Sequence, residues 1–190
     1  FLIEKKRAAA GRAADALLEG LTGVNVQEVY AIHELTHALQ DQFYDLETLP
    51  MEVKDNDDLV LAVKSLVEGD ATYVMYDHIA RAMGQTADTL GLQGLGSGES
   101  MMEGAAARAP EFLRQMLVFP YLQGFTFVQK SGAARGAGTL AALFADPPAS
   151  TEQILHPDKY VAATRDAPVV LRWTRPAEFA GAGWELLESN

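Results

Sequence analysis

Apolar positions recur through most of the chain at a helical spacing. Val29, Ile32, Leu35 and Leu39 fall about one turn apart with polar residues between them, which predicts a helix over 26–44. Residues 4–20 are rich in Ala, Leu, Lys and Glu, all strong helix formers, and Gly20 with the Thr22-Gly23 pair marks a break after them. Leu59, Val63, Leu66, Val67, Val74 and Ile79 supply the buried side of a third helix over about 59–83, with Asp57 or Asp58 as its N-cap. Pro110 suits the first turn of a helix running towards Lys130, and Pro120 predicts a kink within it. A short helix over 137–145 follows, and Ser150 and Gln153 then stand at the capping-box spacing. Residues 168–174 are the best strand candidate, and the glycines between Gly84 and Gly104 read as a loop. With no internal repeat, residues 1–190 are expected to form one mainly α-helical domain with at most a small β component.

A chain of 190 residues is long enough to bury a substantial core. Its 15 Lys and Arg against 26 Asp and Glu give a net charge of −11, which argues against nucleic acid or an anionic membrane surface as the main partner. The absence of cysteine excludes a disulfide framework, a thiolate metal site and a thiol nucleophile. No uninterrupted apolar run reaches the length of roughly 18 residues that a bilayer span needs. Phe1-Leu2-Ile3 precedes Glu4-Lys5-Lys6-Arg7, the reverse of a signal peptide's order, and a start at Phe1 reads as a piece of a longer chain.

Candidate chemistry centres on His33-Glu34-Leu35-Thr36-His37, an HExxH motif inside a helical stretch. Residues i and i+4 share one helix face, so both imidazoles can reach one cation. Glu34 projects beside that cation, where it can take a proton from a water activated by the metal. A random chain of this composition would contain such a motif with a chance of roughly 0.006. The alternative is a buried, hydrogen-bonded histidine pair.

A catalytic zinc needs a third protein ligand and an open position. Ala38 to Phe43 contains no further histidine, which leaves His78, His156 or a carboxylate. Glu68 is the preferred candidate, because an ionised glutamate among Leu66, Val67, Ala71 and Val74 is costly to bury without a cation. Gly69 beside it costs about 1 kcal/mol against alanine in a helix interior, which is explained if that helix approaches another backbone closely. The competing reading makes Glu68 an exposed residue and its glycine incidental. His78, ten positions after Glu68, reads as a surface or supporting histidine rather than a ligand.

These residues resemble the gluzincin class of zinc peptidases, in which HExxH and a glutamate on a later helix bind the metal. The chain is similar, more narrowly, to a bacterial metalloprotease-like family. Its marks here are the block His33 to Gln42, then Glu68-Gly69-Asp70-Ala71, then Phe119-Pro120-Tyr121-Leu122-Gln123-Gly124, and finally Pro147 to Tyr160. The resemblance implies a zincin-like helical fold and Zn2+ held by His33, His37 and Glu68. It further implies Glu34 as general base, a peptide or protein substrate, and placement outside the cytoplasm. Two features depart from the class. Gluzincins usually place a β-sheet before the HExxH helix, yet residues 1–25 show no alternating strand pattern. Either that sheet lies in sequence outside this chain or substrate is held in another way. Thr72 stands where many thermolysin-like enzymes carry an acid that orients a zinc histidine, so Asp70 or Thr72 is the candidate for that support.

Hydrolysis of this type also wants a donor for the developing oxyanion. His156, Tyr160 and Tyr121 are the candidates, with His156 and Tyr160 preferred; the competing roles are capping for His156 and packing for the tyrosines. Gly94-Leu95-Gly96-Ser97-Gly98 lacks the flanking strand and the Lys-Ser/Thr of a phosphate loop, and Asp55-Asn56-Asp57-Asp58 lacks calcium-loop spacing. Two imidazoles and a carboxylate favour zinc, although non-haem iron uses the same donor types. The rival from another class is a non-catalytic domain in which the metal staples two helices of a larger envelope protein. A fourth protein ligand such as His156 would favour it. Hydrolysis of a non-peptide amide is a third reading.

Overall fold

A computed structural model describes residues 9–90, 109–135 and 139–169 of the chain. The described residues are mainly helical and contain no strand. The helices are α1 (Ala9–Thr22), α2 (Val26–Tyr44), α3 (Asp57–Ala82), α4 (Ala87–Leu90), α5 (Glu111–Arg135), α6 (Thr139–Ala145), α7 (Thr151–Leu155) and α8 (Pro157–Val161), with a 3-10 turn at Leu46–Thr48. None of them is long and apolar enough to cross a membrane. The expected strand over 168–174 and the glycine run at 94–98 lie outside the described residues, apart from Pro168 and Val169, which carry no regular structure.

Helix α3 is the axis of the fold. Ala62, Val63, Ser65, Leu66, Val67, Gly69, Asp70, Ala71 and Thr72 are all buried, with Lys64 exposed among them, so most of this stretch sits inside the bundle. Its start differs from expectation: Asn56 is the N-cap, its side chain accepting from the Leu59 N–H at 3.1 Å, and Asp57 opens the helix. Asp58 is engaged elsewhere, accepting from the backbone N–H of Thr151 at 3.1 Å and from the Thr151 hydroxyl, and so caps α7. Ser150, the N-cap of α7, makes no side-chain capping hydrogen bond. Gln153 still turns back, but its Oε1 accepts from Ala149 N–H at 3.0 Å while its amide donates to the Asp166 carbonyl at 2.6 Å.

Helix α5 runs unbroken through Pro120 and packs along α3. The two backbones meet at Gly69 and Gly124, which is the close approach that Gly69 predicted. Around the first half of α3, Leu66 and Val67 pack with Phe127, Leu143, Phe144, Ile154 and Tyr160. Around its second half, Tyr76 and Ile79 pack with Val24, Val29, Ala87 and Phe125. Helix α2 lies against α3, and Tyr44 near its end stacks on Phe144 with ring centroids 4.3 Å apart.

Candidate metal centre

Two helices build the site. Asn25 caps α2, accepting from the Glu28 N–H at 2.8 Å, and Asp45 closes it in the left-handed region at φ 51°. His33 and His37 thus stand one turn apart on a regular helix and face α3, which contributes Glu68. His33 Nε2 lies 3.2 Å from Glu68 Oε2, His37 Nε2 lies 3.4 Å from the same oxygen, and the two Nε2 atoms are 3.1 Å apart. The imidazoles meet edge to face with centroids 4.7 Å apart. These three residues are the one group of potential metal ligands among the described residues.

The donor set could hold a metal ion. Bond lengths of about 2.0–2.1 Å at tetrahedral angles put neighbouring ligand atoms about 3.3–3.4 Å apart. The three separations of 3.1, 3.2 and 3.4 Å are those of one face of such a tetrahedron. Two nitrogen donors and one carboxylate oxygen also match the ligand chemistry of zinc.

Behind the ligands stands a polar chain. His37 Nδ1 is 2.8 Å from Gln40 Oε1, and Gln40 Nε2 donates to the Val67 carbonyl at 3.0 Å and to Asp70 Oδ2 at 2.7 Å. Gln40 and Asp70 are both buried. Of the two supports anticipated for the histidines, Asp70 is in place through Gln40. The Thr72 hydroxyl is buried without a hydrogen-bond partner among the described residues.

The electrostatics follow from this packing. Burial pushes the Glu68 carboxyl up, but hydrogen bonds from His33 and His37, with their charge, outweigh it and hold the group at about 2. His37 is raised above its ordinary value chiefly by its hydrogen bond to Glu68, against burial and with help from Gln40 and from the charges of Glu68 and Glu34. Asp70 is raised by burial, partly offset by Gln40 and by the charge of His37. Tyr121, on α5, is raised by burial, by the charges of Glu68 and Glu34, and by a hydrogen bond to Glu68. Its ring lies 6.1 Å from that of His33.

Tyr121 is therefore the tyrosine brought to the cluster, and Glu34 is the exposed carboxylate close enough to be felt by both His37 and Tyr121. His156 stands between α7 and α8, closing one and opening the next, beside Lys130, Leu155, Pro157, Asp158 and Val161. Tyr160 is 1% exposed; its hydroxyl donates to the Asp146 carbonyl at 2.7 Å, its ring meets Phe127 edge to face, and Arg165 lies over its face at 4.2 Å. Those contacts clamp the segment from Asp146 to Asp166. His78 pairs with Glu28 at 3.0 Å, tying α3 to the start of α2. The residue that spacing did not single out is Gln40; its position three after His37, on the same helix face, was the available signal.

No family model, no curated protein and no solved structure matches the chain.

Proposed function

We propose that this domain is a zinc-dependent peptidase of gluzincin type, hydrolysing peptide bonds in a peptide or protein substrate. The observation that carries the reading is the convergence of His33 Nε2, His37 Nε2 and Glu68 Oε2 at separations of 3.1 to 3.4 Å, with the charge of Glu34 felt at His37. A Zn2+ ion bound there supplies a Lewis acid for the scissile carbonyl and acidifies a water. Glu34 accepts a proton from the attacking water and returns it to the leaving amine. The hydroxyl of Tyr121, whose ring lies 6.1 Å from that of His33, can turn to the oxyanion that forms on the attacked carbonyl. His33, His37 and Glu68 hold the geometry constant through these steps. His156, whose presence as a fourth ligand would favour a closed metal staple, stands outside the group, between α7 and α8.

The test is Glu34→Gln. The variant is expected to take up one zinc per chain, as the wild type does, and to lose hydrolysis of an unfolded protein substrate by about 10²- to 10⁴-fold, the usual contribution of a positioned base. Unchanged turnover would remove Glu34 from its role.

A further inference from the structure

We propose that Gln40 is a positioning residue that fixes which nitrogen of His37 carries the proton, and so aims the other at the metal; this rests on the metal-centre reading above. A neutral imidazole has one N–H, and only the bare nitrogen can ligate. A glutamine amide can in general present either its oxygen or its NH2 group to a neighbour. Gln40 has no such freedom. Its Nε2 faces the Val67 carbonyl at 3.0 Å and Asp70 Oδ2 at 2.7 Å, and turning the amide round would set Oε1 against two oxygens. The Val67 carbonyl has no proton to give in any state, so the orientation holds whether or not Asp70 is ionised. At 2% exposure for Gln40 and 3% for Asp70, water is not at hand to substitute for either partner.

With the amide fixed, Oε1 is what His37 Nδ1 meets at 2.8 Å, against 3.4 Å from Nε2 to the Glu68 carboxylate that competes for the same proton, so the closer acceptor draws the neutral ring to Nδ1–H. The lone pair is left on Nε2, the atom that faces His33 Nε2 and Glu68. The chain Val67 and Asp70 to Gln40 to His37 thus orders the ligand before any cation arrives. A single glutamine does this by accepting at one end and donating twice at the other.

The experiment reads the tautomer directly, on metal-free, 15N-labelled protein at a pH above the imidazole titration. Long-range 1H–15N correlation is expected to show His37 as the Nδ1–H form in the wild type. In Gln40→Met it is expected to shift towards the Nε2–H form, which can then donate to the Glu68 carboxylate, with zinc affinity falling about 10- to 100-fold while the far-ultraviolet circular dichroism is kept. A wild-type His37 in the Nε2–H form would overturn the proposal without recourse to any variant, as would a Gln40→Met protein that keeps Nδ1–H. Failure of the wild type to bind zinc would tell against the metal centre instead, since the tautomer is measured with no metal present.

Discussion

Gly69 and Gly124 set the backbones of α3 and α5 in direct contact. A Cβ placed on Gly69 would lie 2.2 Å from the Gly124 carbonyl carbon, and one on Gly124 would lie 2.0 Å from the Ser65 carbonyl oxygen. Both obstacles are main chain, so no rotamer change relieves them. Glu68 adjoins the first glycine and Tyr121 precedes the second by one turn, so this crossing brings the carboxylate and the phenol together.

Alanine at either glycine should therefore weaken the fold. The gain in helix propensity is about 1 kcal/mol, and overpacking against an immovable backbone costs about 1–3 kcal/mol or more. At these separations the clash should win, lowering the melting temperature by roughly 2–8 °C. Gly132, on the same helix as Gly124, has nothing within 4 Å of its would-be Cβ. Gly132→Ala is expected to raise the melting temperature slightly, by the propensity term alone. Thermal denaturation of the three variants side by side checks this; equal behaviour at all three sites would mean the close crossing does not exist in solution.

Much of this was readable from residues alone, and the rest has identifiable causes. The HExxH spacing places two imidazoles on one helix face whatever the tertiary structure, and Glu68 with Gly69 announced a buried acid beside a backbone contact. The N-cap of α3 was misassigned because Asp58 serves Thr151, 93 residues away, a partner that no local pattern reveals. From sequence Tyr160 is preferred to Tyr121, although composition does not separate two tyrosines in distinctive blocks. Only the packing of α5 on α3 turns one towards Glu68, while the other is committed to the Asp146 carbonyl. The polar chain behind His37 needs Gln40 on α2 and Asp70 on α3 to meet, again a tertiary event.

That division of the tyrosines gives a paired expectation. Tyr121→Phe should leave the fold and zinc content intact and lower kcat by about 10²-fold, the usual effect of removing one oxyanion donor. Tyr160→Phe should do the opposite. It leaves the Asp146 carbonyl, among the described residues, with the longer approach of Arg165 at 3.4 Å, so stability falls by about 1–2 kcal/mol while turnover per folded molecule holds. Steady-state kinetics and melting curves on both variants check the pair, and a kinetic defect in Tyr160→Phe alone would reverse the assignment.

Glu68→Ala removes the carboxylate that joins α3 to the two imidazoles. Zinc content measured after dialysis should fall well below one per chain. A ligand that binds only the folded state at 100 times its dissociation constant stabilises by about 2.7 kcal/mol. Chelation should accordingly lower the melting temperature of the wild type and scarcely change that of the variant. Full zinc occupancy in Glu68→Ala with an intact fold would exclude Glu68 as the third ligand.

The pH dependence should distinguish the metal-free protein from the zinc-loaded one. Without metal, the Glu68 carboxyl sits at about 2 in the folded state against an ordinary 4.5, so its stabilising effect is complete above 4.5 and lost as pH falls towards 2. His37 is shifted the other way, above its ordinary 6.5, so its contribution is complete below 6.5 and lost as pH rises through the folded value. Together they favour the metal-free fold most between about 4.5 and 6.5. Zinc reverses the upper limb, because it requires neutral imidazoles and must displace the proton that Glu68 helps His37 to keep. The gain in melting temperature on adding zinc should therefore grow as pH rises from 6 to 8, with proton release measured calorimetrically shrinking over the same range. The general repulsion of a chain carrying a net −11 charge acts on both forms and cancels in that difference. A zinc-induced shift that is flat across this range would show that Glu68 does not help His37 to keep its proton.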